Sequence, residues 1–433
     1  MNPQTVGITG FIVMVAMIFL RVPVAIALGV VGTVGYAALN GWTQSLQVLG
    51  RVPLTFASAY DLSVVPLFVL MGVIAANSGM ARDLFRSINT MFSGRRGTLA
   101  SATVAACAAL GAVSGSSVAM VATMSHVAVP EMRRAKYDER LALGAVVAGG
   151  TLGILIPPSV MLIFYGLTAV QSIPKLFAAG MIPGLLLAAL QIGIIKTATW
   201  FAPHWAPAST RLPWRERLRA SLGMWKLLFI FLLSIGGIYA GWFSPTEAAA
   251  VGTFVTIIIA ALSGQLTLRQ LSESVIESSR TTAMLFFILL GAIMFSYFIV
   301  QTQIATNLAT WVVSLHLPAT AVMVIVVLFY IVLGTFLESL TMILITVPVF
   351  APLAQSLGYD LVWFGVLLVV LIEAGLIHPP MGMNLFVLQS QVPDAKLGNM
   401  YIGSAMFLVA NAVLIALLLA FPQLALWLPH MLY

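Results

Sequence analysis

The stretch GILIPP at residues 153–158 recurs as GLIHPP at residues 375–380, and each copy lies within an apolar segment. The offset from Pro157 to Pro379 is 222 residues. Three further identities share that offset, namely Thr98 with Thr320, Ser117 with Ser339, and Pro130 with Pro352. Several coincidences at one offset indicate an internal repeat, so the sequence predicts two related halves.

Composition indicates which solvent surrounds these halves. Of the 433 residues, 61% are hydrophobic and 8% are charged, whereas a typical water-soluble domain has about 25% charged residues. So few polar residues cannot cover this much apolar surface, and lipid is the alternative solvent. In lipid the backbone polar groups must be paired internally, and apolar runs of about 20 residues match membrane-spanning helices. We therefore predict an all-α polytopic membrane protein with on the order of a dozen helical segments.

Basic residues indicate how the halves lie in the membrane. The first-half segment 97–130 is flanked by Arg95, Arg96, Arg133, Arg134, Lys136 and Arg140. The positive-inside rule places both ends of this segment in the cytoplasm, so it enters and returns, either as two crossings or as a re-entrant hairpin. The equivalent segment 319–352 has no Lys or Arg in its flanks 316–318 and 353–362. An inverted repeat explains why equivalent segments face opposite sides.

These patterns divide the chain into five parts. N-terminal scaffold helices occupy residues 1–60, a first repeat 61–201, a basic linker 202–226, a second repeat 227–400 and a C-terminal helix 401–433. The linker is expected in the cytoplasm because of its basic residues. Two amphipathic pieces, 81–91 and 268–279, occupy similar places in the two halves. They are either connecting arms in the membrane interface or ordinary polar loops.

Each half contains a predicted helix break. The pairs Pro157-Pro158 and Pro379-Pro380 lie deep inside apolar segments. Proline lacks an N–H and clashes with the preceding turn, so it frees carbonyl groups where no water can satisfy them. A single break is explained by a simple kink. Paired breaks in glycine-bearing contexts favour unwound backbone that coordinates an ion.

Small and polar residues lie near these breaks. The tip SGSS at residues 114–117 offers oxygens to Na⁺ or donors to a carboxylate, and close helix packing is the alternative explanation. In the second half Glu338-Ser339 replaces Ser116-Ser117. An acidic residue in such a segment suggests a role in neutralising a cation or carrying a proton, unless backbone N–H groups at the tip hold it. The same alternatives apply to Glu373.

Three more polar residues receive different interpretations. A lone His in an apolar stretch is typical of a hydrogen-bonded structural residue, so the backbone carbonyl of His378 is a better ligand candidate than its ring. Asn384, in MGMN at residues 381–384, is a candidate for direct contact with the substrate or the backbone. Ser244 and Glu247 form a capping box with Pro245 at the first helical position, and we interpret Glu247 as structural.

Other functions find little support in the sequence. It contains no H-E-x-x-H and no G-x-x-x-x-G-K-[ST] motif. The single cysteine, Cys107, excludes intramolecular disulfides and thiolate metal clusters. Nucleic acid is not expected as a partner, because basic and aromatic residues are not interleaved. The remaining enzymatic hypothesis is an intramembrane serine protease that uses Ser116 or Ser117 with His126, which requires a Ser–His hydrogen bond.

Four motifs, taken in order, resemble the large membrane subunit of tripartite ATP-independent periplasmic (TRAP) transporters. They are GAVSGSS at 111–117, GILIPPS at 153–159, SPTEAA at 244–249 and GLIHPPMGMN at 375–384. The resemblance covers essentially the whole chain. It implies an inverted-repeat, elevator-type carrier in the bacterial inner membrane, with broken helices and two re-entrant helical hairpins near 97–130 and 319–352.

The resemblance also implies partners and a coupling ion. A periplasmic binding protein delivers an organic acid to the large subunit and a separate small four-helix membrane subunit, and a sodium gradient drives uptake. One implied sodium site uses Ser114, Ser117, Gly153, Ile156 and Pro158; the other uses Gly334, Gly375, His378, and Met381 or Met383. His378 stands where the family often has Thr, which puts sodium coordination at the second site in question.

Substrate contacts are expected from Ser116, Glu338, Ser339 and Asn384. Three alternatives remain open at this point. A proton-coupled organic-anion carrier working without a binding protein would use Glu338 and Glu373. A channel and the serine protease are the others.

Overall fold

The computed structural model describes residues 2–208 and 211–433, and in that part of the chain all regular elements are helical. The first half contains ten α-helices: α1 (Pro3–Phe19), α2 (Val24–Asn40), α3 (Trp42–Ala57), α4 (Val64–Asn77), α5 (Met80–Met91), α6 (Thr98–Ser114), α7 (Ser117–Arg134), α8 (Glu139–Leu155), α9 (Val160–Ala169) and α10 (Ile173–Phe201).

The rest of the described chain contains the remaining α-helices. They are α11 (Trp214–Ser221), α12 (Trp225–Tyr239), α13 (Pro245–Leu262), α14 (Leu268–Thr302), α15 (Ile304–Ser314), α16 (Ala319–Gly334), α17 (Ser339–Ser356), α18 (Leu361–Ile377), α19 (Met383–Gln391), α20 (Leu397–Ala420) and α21 (Gln423–Leu432). The helix α13 begins with the predicted capping box, in which Ser244 and Glu247 each accept from the other's backbone N–H.

Helix lengths and composition confirm an all-α polytopic membrane protein. Among the described residues, seven helices are long and apolar enough to cross a membrane, and an eighth span results if the bent pair α8–α9 counts as one. The axes of α8 and α9 differ by 41° at their break. Six shorter apolar helices of 10–17 residues accompany these spans. The apolar segments of the sequence are therefore a mixture of full crossings and shorter pieces.

The internal repeat is reproduced in helix boundaries. The helices α7 and α17 begin and end 222 residues apart, and so do α8 and α18. Their caps match as well, because Asp138 accepts the Arg140 N–H at 2.9 Å and the equivalent Asp360 accepts the Val362 N–H at 2.6 Å. Both halves thus contain a hairpin, α6–α7 or α16–α17, followed by a broken helix, α8–α9 or α18–α19.

Contacts between the two broken helices give the relative direction of the copies. The Asn384 amide donates to the Val147 carbonyl at 3.3 Å, whereas the Tyr165 hydroxyl donates to the Leu361 carbonyl at 2.5 Å. As residue numbers rise along the first broken helix, those of its partners in the second fall. Equivalent helices therefore pack antiparallel, which is the relation that an inverted repeat requires.

The proposed pairing of the two amphipathic pieces is wrong. Residues 81–91 lie in α5, and the helix 222 residues later is α15. Residues 268–279 form the start of the 35-residue α14 and correspond to the end of α3. These pieces are helices and not loops, but each has a different counterpart. Local amphipathic character alone does not identify which helix in the other half is equivalent.

Glycine contacts join each hairpin to its broken helix. A Cβ atom on Gly111 would lie 2.7 Å from the Cα of Gly153, and one on Gly375 would lie 2.7 Å from the carbonyl oxygen of Gly334. Without a hydrophobic driving force between helices in lipid, such small-residue contacts allow the backbones to approach closely. The same kind of contact therefore fixes the hairpin against the break in both halves.

We expect Gly111→Val to destabilise the protein, because the added methyl groups would displace the α8 backbone. The expected loss is about 1–3 kcal/mol, the usual cost of overpacking, and thermal unfolding of the detergent-purified protein measures it. The matched control is Gly236→Val in α12, because no atom lies within 4 Å of a Cβ there. Equal destabilisation by the two substitutions would contradict the close-packing interpretation.

Candidate functional site

The first candidate site begins at the tip of the hairpin α6–α7. The helix α6 ends at Ser114, and Gly115 turns the chain with a φ of +61°. A Cβ at Gly115 would lie 2.9 Å from the Pro158 carbonyl oxygen, so only glycine fits this turn against the break. The half-buried Ser116 caps α7 by accepting the Ala119 N–H at 3.3 Å. The predicted tip is therefore pressed against the predicted helix break.

The break between α8 and α9 exposes backbone oxygens to this tip. Pro157 and Pro158 have no N–H to donate to the carbonyls of Gly153 and Ile154, one turn earlier. The Ser159 hydroxyl donates to Ile154 and accepts the Leu162 N–H at 3.1 Å. Within the described parts of the chain, no side chain donates to the Gly153 carbonyl in the same way.

A buried hydroxyl also lacks a partner at this site. Among the described residues, no group hydrogen-bonds to Ser114 Oγ, although the side chain is buried. An unpaired buried hydroxyl costs about 1–3 kcal/mol. The tip and the break are in contact, because Gly115 packs against the Pro158 carbonyl and Ser116 lies next to Gly153. The five predicted sodium ligands lie on these two segments: Ser114, Ser117, Gly153, Ile156 and Pro158. They offer hydroxyl and carbonyl oxygens. Such oxygens suit a hard cation.

The second candidate site repeats this plan with different chemistry. The helix α16 ends at Gly334, which packs against Gly375, and α17 begins after Glu338. Glu338 is the N-cap of α17: its carboxylate accepts the Thr341 N–H and the Thr341 hydroxyl, both at 3.2 Å. The N-cap Glu338 therefore holds the place that Ser116 holds in the first half. The predicted substrate residue Ser339, next to it, is buried.

The second break lies between α18 and α19. The backbone becomes extended at His378, whose carbonyl accepts the Gly382 N–H at 3.0 Å. Its ring Nδ1 is buried and makes no hydrogen bond within the described residues. Met381 and Met383 are 52% and 39% exposed, so these two side chains face outward from the break. Only their backbone groups remain candidates for an ion. Both Pro-Pro peptide bonds, 157–158 and 379–380, are cis.

Asn384 connects the two halves at the first site. The side-chain amide is fully buried and donates to Ser117 Oγ at 2.7 Å. In a second hydrogen bond, the Ser117 hydroxyl donates to the amide oxygen at 3.0 Å. The amide also donates to Val147 in α8. The predicted substrate residue Asn384 is therefore a bridge between the repeats, and its side chain is committed to protein partners.

Glu373 lies in α18 before the second break. Its side chain is fully buried, and neither carboxylate oxygen has a hydrogen-bond partner among the described residues. An ionisable side chain in an apolar membrane helix is a candidate for handling an ion or a proton. The equivalent residue of the first half, Thr151, is instead satisfied by the Ala148 carbonyl.

The geometry does not support the serine protease hypothesis. His126 Nε2 lies 2.8 Å from Gln391 Oε1, whereas Ser116 and Ser117 are bonded to the Ala119 N–H and to Asn384. His126 and Ser117 also lie nine residues apart on the helix α7, a rise of about 13 Å. The Ser–His hydrogen bond that the mechanism requires is therefore not formed.

A cavity of about 880 Å³ lies outside the predicted site residues. Its described lining comes mainly from α3 and α14, together with Ala59, Leu62, the end of α9 and Leu344 of α17. Arg51 is the charged residue in its described lining, which is otherwise apolar or hydroxyl-bearing. Among the described residues Arg51 forms no ion pair. The sequence signal for it was a single Arg in the otherwise uncharged helix 42–57.

Comparison with known proteins identifies the family. Residues 11–424 match the family model described as "Tripartite ATP-independent periplasmic transporter, DctM component". The chain belongs to this family. The resemblance seen in the motifs, to the large membrane subunit of a TRAP transporter, is thereby confirmed.

Individual TRAP permeases cover most of the chain. This chain is 36% identical over 373 residues to the C4-dicarboxylate TRAP transporter large permease protein DctM of Pseudomonas aeruginosa. The alignment covers 86% of each protein. The chain is 32% identical over 377 residues to the sialic acid TRAP transporter large permease protein SiaM of Vibrio cholerae, covering 86% of this chain and 87% of the relative. The ectoine TRAP transporter large permease protein TeaC of Halomonas elongata is 30% identical over 421 residues. That alignment covers 96% of this chain and 97% of the relative.

Solved structures show a similar fold at low sequence identity. The YdaH transporter of Alcanivorax borkumensis, described as having an unusual topology, superposes with a TM-score of 0.62 at 17% identity. The match covers 89% of this chain and 90% of that one. MtrF of Neisseria gonorrhoeae superposes with a TM-score of 0.57 at 16% identity. That match covers 87% of this chain and 84% of MtrF. The TRAP large permease thus shares its helical architecture with other membrane transporters.

The Ser117–Asn384 bridge predicts a measurable coupling between the halves. In a double-mutant cycle of Ser117→Ala and Asn384→Ala, the two unfolding effects should be non-additive by about 0.5–3 kcal/mol, as expected for side chains in direct contact. Thermal unfolding in detergent measures each variant. The control is a second cycle that combines Asn384→Ala with Thr197→Ala. The exposed Thr197 hydroxyl forms its hydrogen bond within its own helix, α10. Additive effects in the first cycle would show that the bridge contributes nothing.

Proposed function

We propose that this chain is the membrane carrier of a sodium-coupled uptake system for an organic acid. The observation that carries the proposal is the contact of a hairpin tip with a helix break, because Gly115 packs against the Pro158 carbonyl and Ser116 lies next to Gly153. At the same tip the buried Ser114 hydroxyl has no hydrogen-bond partner among the described residues. Unwound backbone at such breaks coordinates Na⁺ in secondary carriers. The pair of breaks in opposite copies supports two ion sites.

The second sodium site has a different ligand set. Its oxygens come from Gly334, Gly375, His378 and the backbone of Met381 or Met383, because the methionine side chains supply no oxygen. A threonine hydroxyl is missing at position 378, so only the His378 carbonyl is available there. This site should therefore bind Na⁺ more weakly than the first, whose ligands include the hydroxyls of Ser114 and Ser117.

The cavity at Arg51 supports a location for the organic acid. A guanidinium group without a carboxylate partner attracts a carboxylate by charge-assisted hydrogen bonds, often in a bidentate arrangement. The relatives named above are permeases for C4-dicarboxylates, sialic acid and ectoine. An organic acid bound at Arg51 would lie among residues of α3, α14, α9 and α17. Ser116, Glu338 and Ser339 then remain candidates for contacts at the tips.

We propose that transport uses an elevator motion of the hairpins and broken helices. The hairpins and broken helices form one packed unit through the Gly111–Gly153, Gly334–Gly375 and Ser117–Asn384 contacts. That unit meets α3 and α14 across the cavity. Sodium at the tips would order both walls of the unit before it moves past these helices, and the bound acid would move with it.

Partners and location follow from the family. A periplasmic binding protein would deliver the acid, and a small four-helix membrane subunit would accompany this chain in the bacterial inner membrane. The isethionate TRAP transporter permease protein DctMQ supports a second membrane part, because this chain, at 29% identity, covers only 62% of that relative.

Proton coupling is the second candidate, and Glu373 favours it. This buried carboxyl without a partner could carry a proton across the membrane in place of one sodium ion. The two mechanisms differ in the gradient that drives uptake.

We expect proteoliposomes with this chain, its small partner and loaded binding protein to accumulate the acid under a sodium gradient. Ser114→Ala should weaken the apparent sodium affinity about tenfold, which corresponds to roughly 1.4 kcal/mol of binding free energy. The reason is that the substitution removes one sodium ligand without breaking a hydrogen bond within the described protein. The control is Ser101→Ala near the other end of α6. Uptake driven by protons and indifferent to sodium would exclude sodium coupling and favour the Glu373 mechanism.

We expect Arg51→Gln to raise the KM for the organic acid about 10- to 100-fold, the range for losing a hydrogen bond to a charged group. Initial uptake rates at saturating sodium measure it. The control is Arg269→Gln, which removes an exposed charge paired with Glu273 at 2.8 Å, outside the cavity. An unchanged KM for Arg51→Gln would place the acid elsewhere.

A further inference from the structure

A second, smaller cavity lies between α5 and α7 and is lined mainly by basic side chains. Its volume is about 240 Å³, and Arg82, Arg86, His126, Glu131 and Arg134 reach it. We call it the basic pocket. It contains none of the residues assigned to sodium or to the organic acid above.

The basic pocket carries an unbalanced positive charge. Arg82 and Arg86 are one helical turn apart on the same face of α5, and neither forms an ion pair among the described residues. The single carboxylate of the lining, Glu131, is bonded to Arg134 at 3.1 Å. Three guanidinium groups thus face one carboxylate, which leaves an excess of two positive charges.

Nearby carboxylates are engaged elsewhere and do not neutralise the basic pocket. Asp83, next to Arg82, accepts from Gln265 at 2.9 Å and lies 3.6 Å from Lys226. At the end of α7, Arg133 forms ion pairs with Glu139 at 2.6 Å and with Asp394 at 2.8 Å. A concave site with one sign of charge concentrates the opposite charge from solution. An anion is the missing partner.

Charge placement indicates which anion meets this surface. The basic pocket lies at the end of the hairpin that carries Arg133 and Lys136, and Arg95 and Arg96 precede the same hairpin in sequence. The positive-inside rule assigns that end to the cytoplasm. The cytoplasmic leaflet contains anionic lipids, and basic pockets between helices on that side bind their phosphate groups. Guanidinium groups match phosphate oxygens in bidentate geometry.

The remaining lining residues, Phe85, Val127 and Pro130, add little apolar surface, because Phe85 is buried. A lipid phosphate is favoured over a free ion by the position of the basic pocket at the cytoplasmic end of the hairpin, where anionic lipids are present. We propose that the basic pocket binds the phosphate group of an anionic membrane lipid, with Arg82 and Arg86 as its main ligands.

Binding there would connect two parts of the molecule. Arg82 and Arg86 belong to α5, whereas His126, Glu131 and Arg134 belong to the hairpin helix α7. His126 in turn contacts Gln391 at the end of α19, in the second half. A lipid phosphate between α5 and α7 therefore bridges the hairpin to the helix beside it.

Native mass spectrometry of the full-length chain, with phosphatidylglycerol or phosphatidylcholine added to the detergent, tests this proposal. We expect retention of one phosphatidylglycerol and about tenfold weaker retention in Arg82→Gln/Arg86→Gln, because each basic residue near a lipid surface contributes favourably. The matched control is Arg95→Gln/Arg96→Gln, which removes the same charge from the same end of the hairpin. Arg82→Lys/Arg86→Lys keeps the charge and should retain more lipid than the Gln variant.

Three results would overturn the proposal. Equal losses in the two double Gln variants would indicate general surface attraction. Retention of phosphatidylcholine equal to that of phosphatidylglycerol would exclude recognition of anionic charge. Displacement of the lipid by millimolar inorganic phosphate, with that phosphate protecting the wild-type chain but not the Arg82→Gln/Arg86→Gln variant from thermal unfolding, would assign the basic pocket to a soluble anion.

Discussion

Two adjacent prolines in each half remove the N–H groups that the preceding carbonyls of a helix would otherwise use. At membrane depth water cannot replace those donors, so other groups of the protein or a bound ion must do so. In the first break the Ser159 hydroxyl satisfies the Ile154 carbonyl, and Gly153 packs against the hairpin tip at Ser116. The tip geometry, the glycine contacts and the placement of Ser114 all depend on this requirement.

The same requirement has been met with different side chains in the two copies. Ser116 and Glu338 both cap the second helix of a hairpin, one with a hydroxyl and the other with a carboxylate. Thr151 is hydrogen-bonded, whereas its counterpart Glu373 has no hydrogen-bond partner among the described residues. The helix bounds of α7 and α8 recur in α17 and α18, but the tips differ in backbone as well, because α6 ends at Ser114 and α16 ends at Gly334. Two sites of unequal ion affinity are the expected consequence.

The sequence predicted those features that depend on local chemistry. Proline pairs located both breaks, and the Ser-rich tip and Glu338 located both hairpin turns, because a missing N–H or a helix cap acts within one turn. Pairing across the fold could not be predicted in this way. Ser117 and Asn384 are 267 residues apart, and nothing local in either segment specifies their contact. The cavity at Arg51 likewise results from four helices that are distant in sequence.

The two copies can meet in this way only if they are inverted in the membrane, and labelling from one side tests that directly. Arg134 and Ser356 are exposed, equivalent residues at the ends of α7 and α17. Each would be replaced by Cys in a Cys107→Ser background and treated with a membrane-impermeant thiol reagent in right-side-out vesicles. Inversion predicts labelling at position 356 from outside and at position 134 only after the membrane is opened. Labelling of both positions from the same side would contradict it.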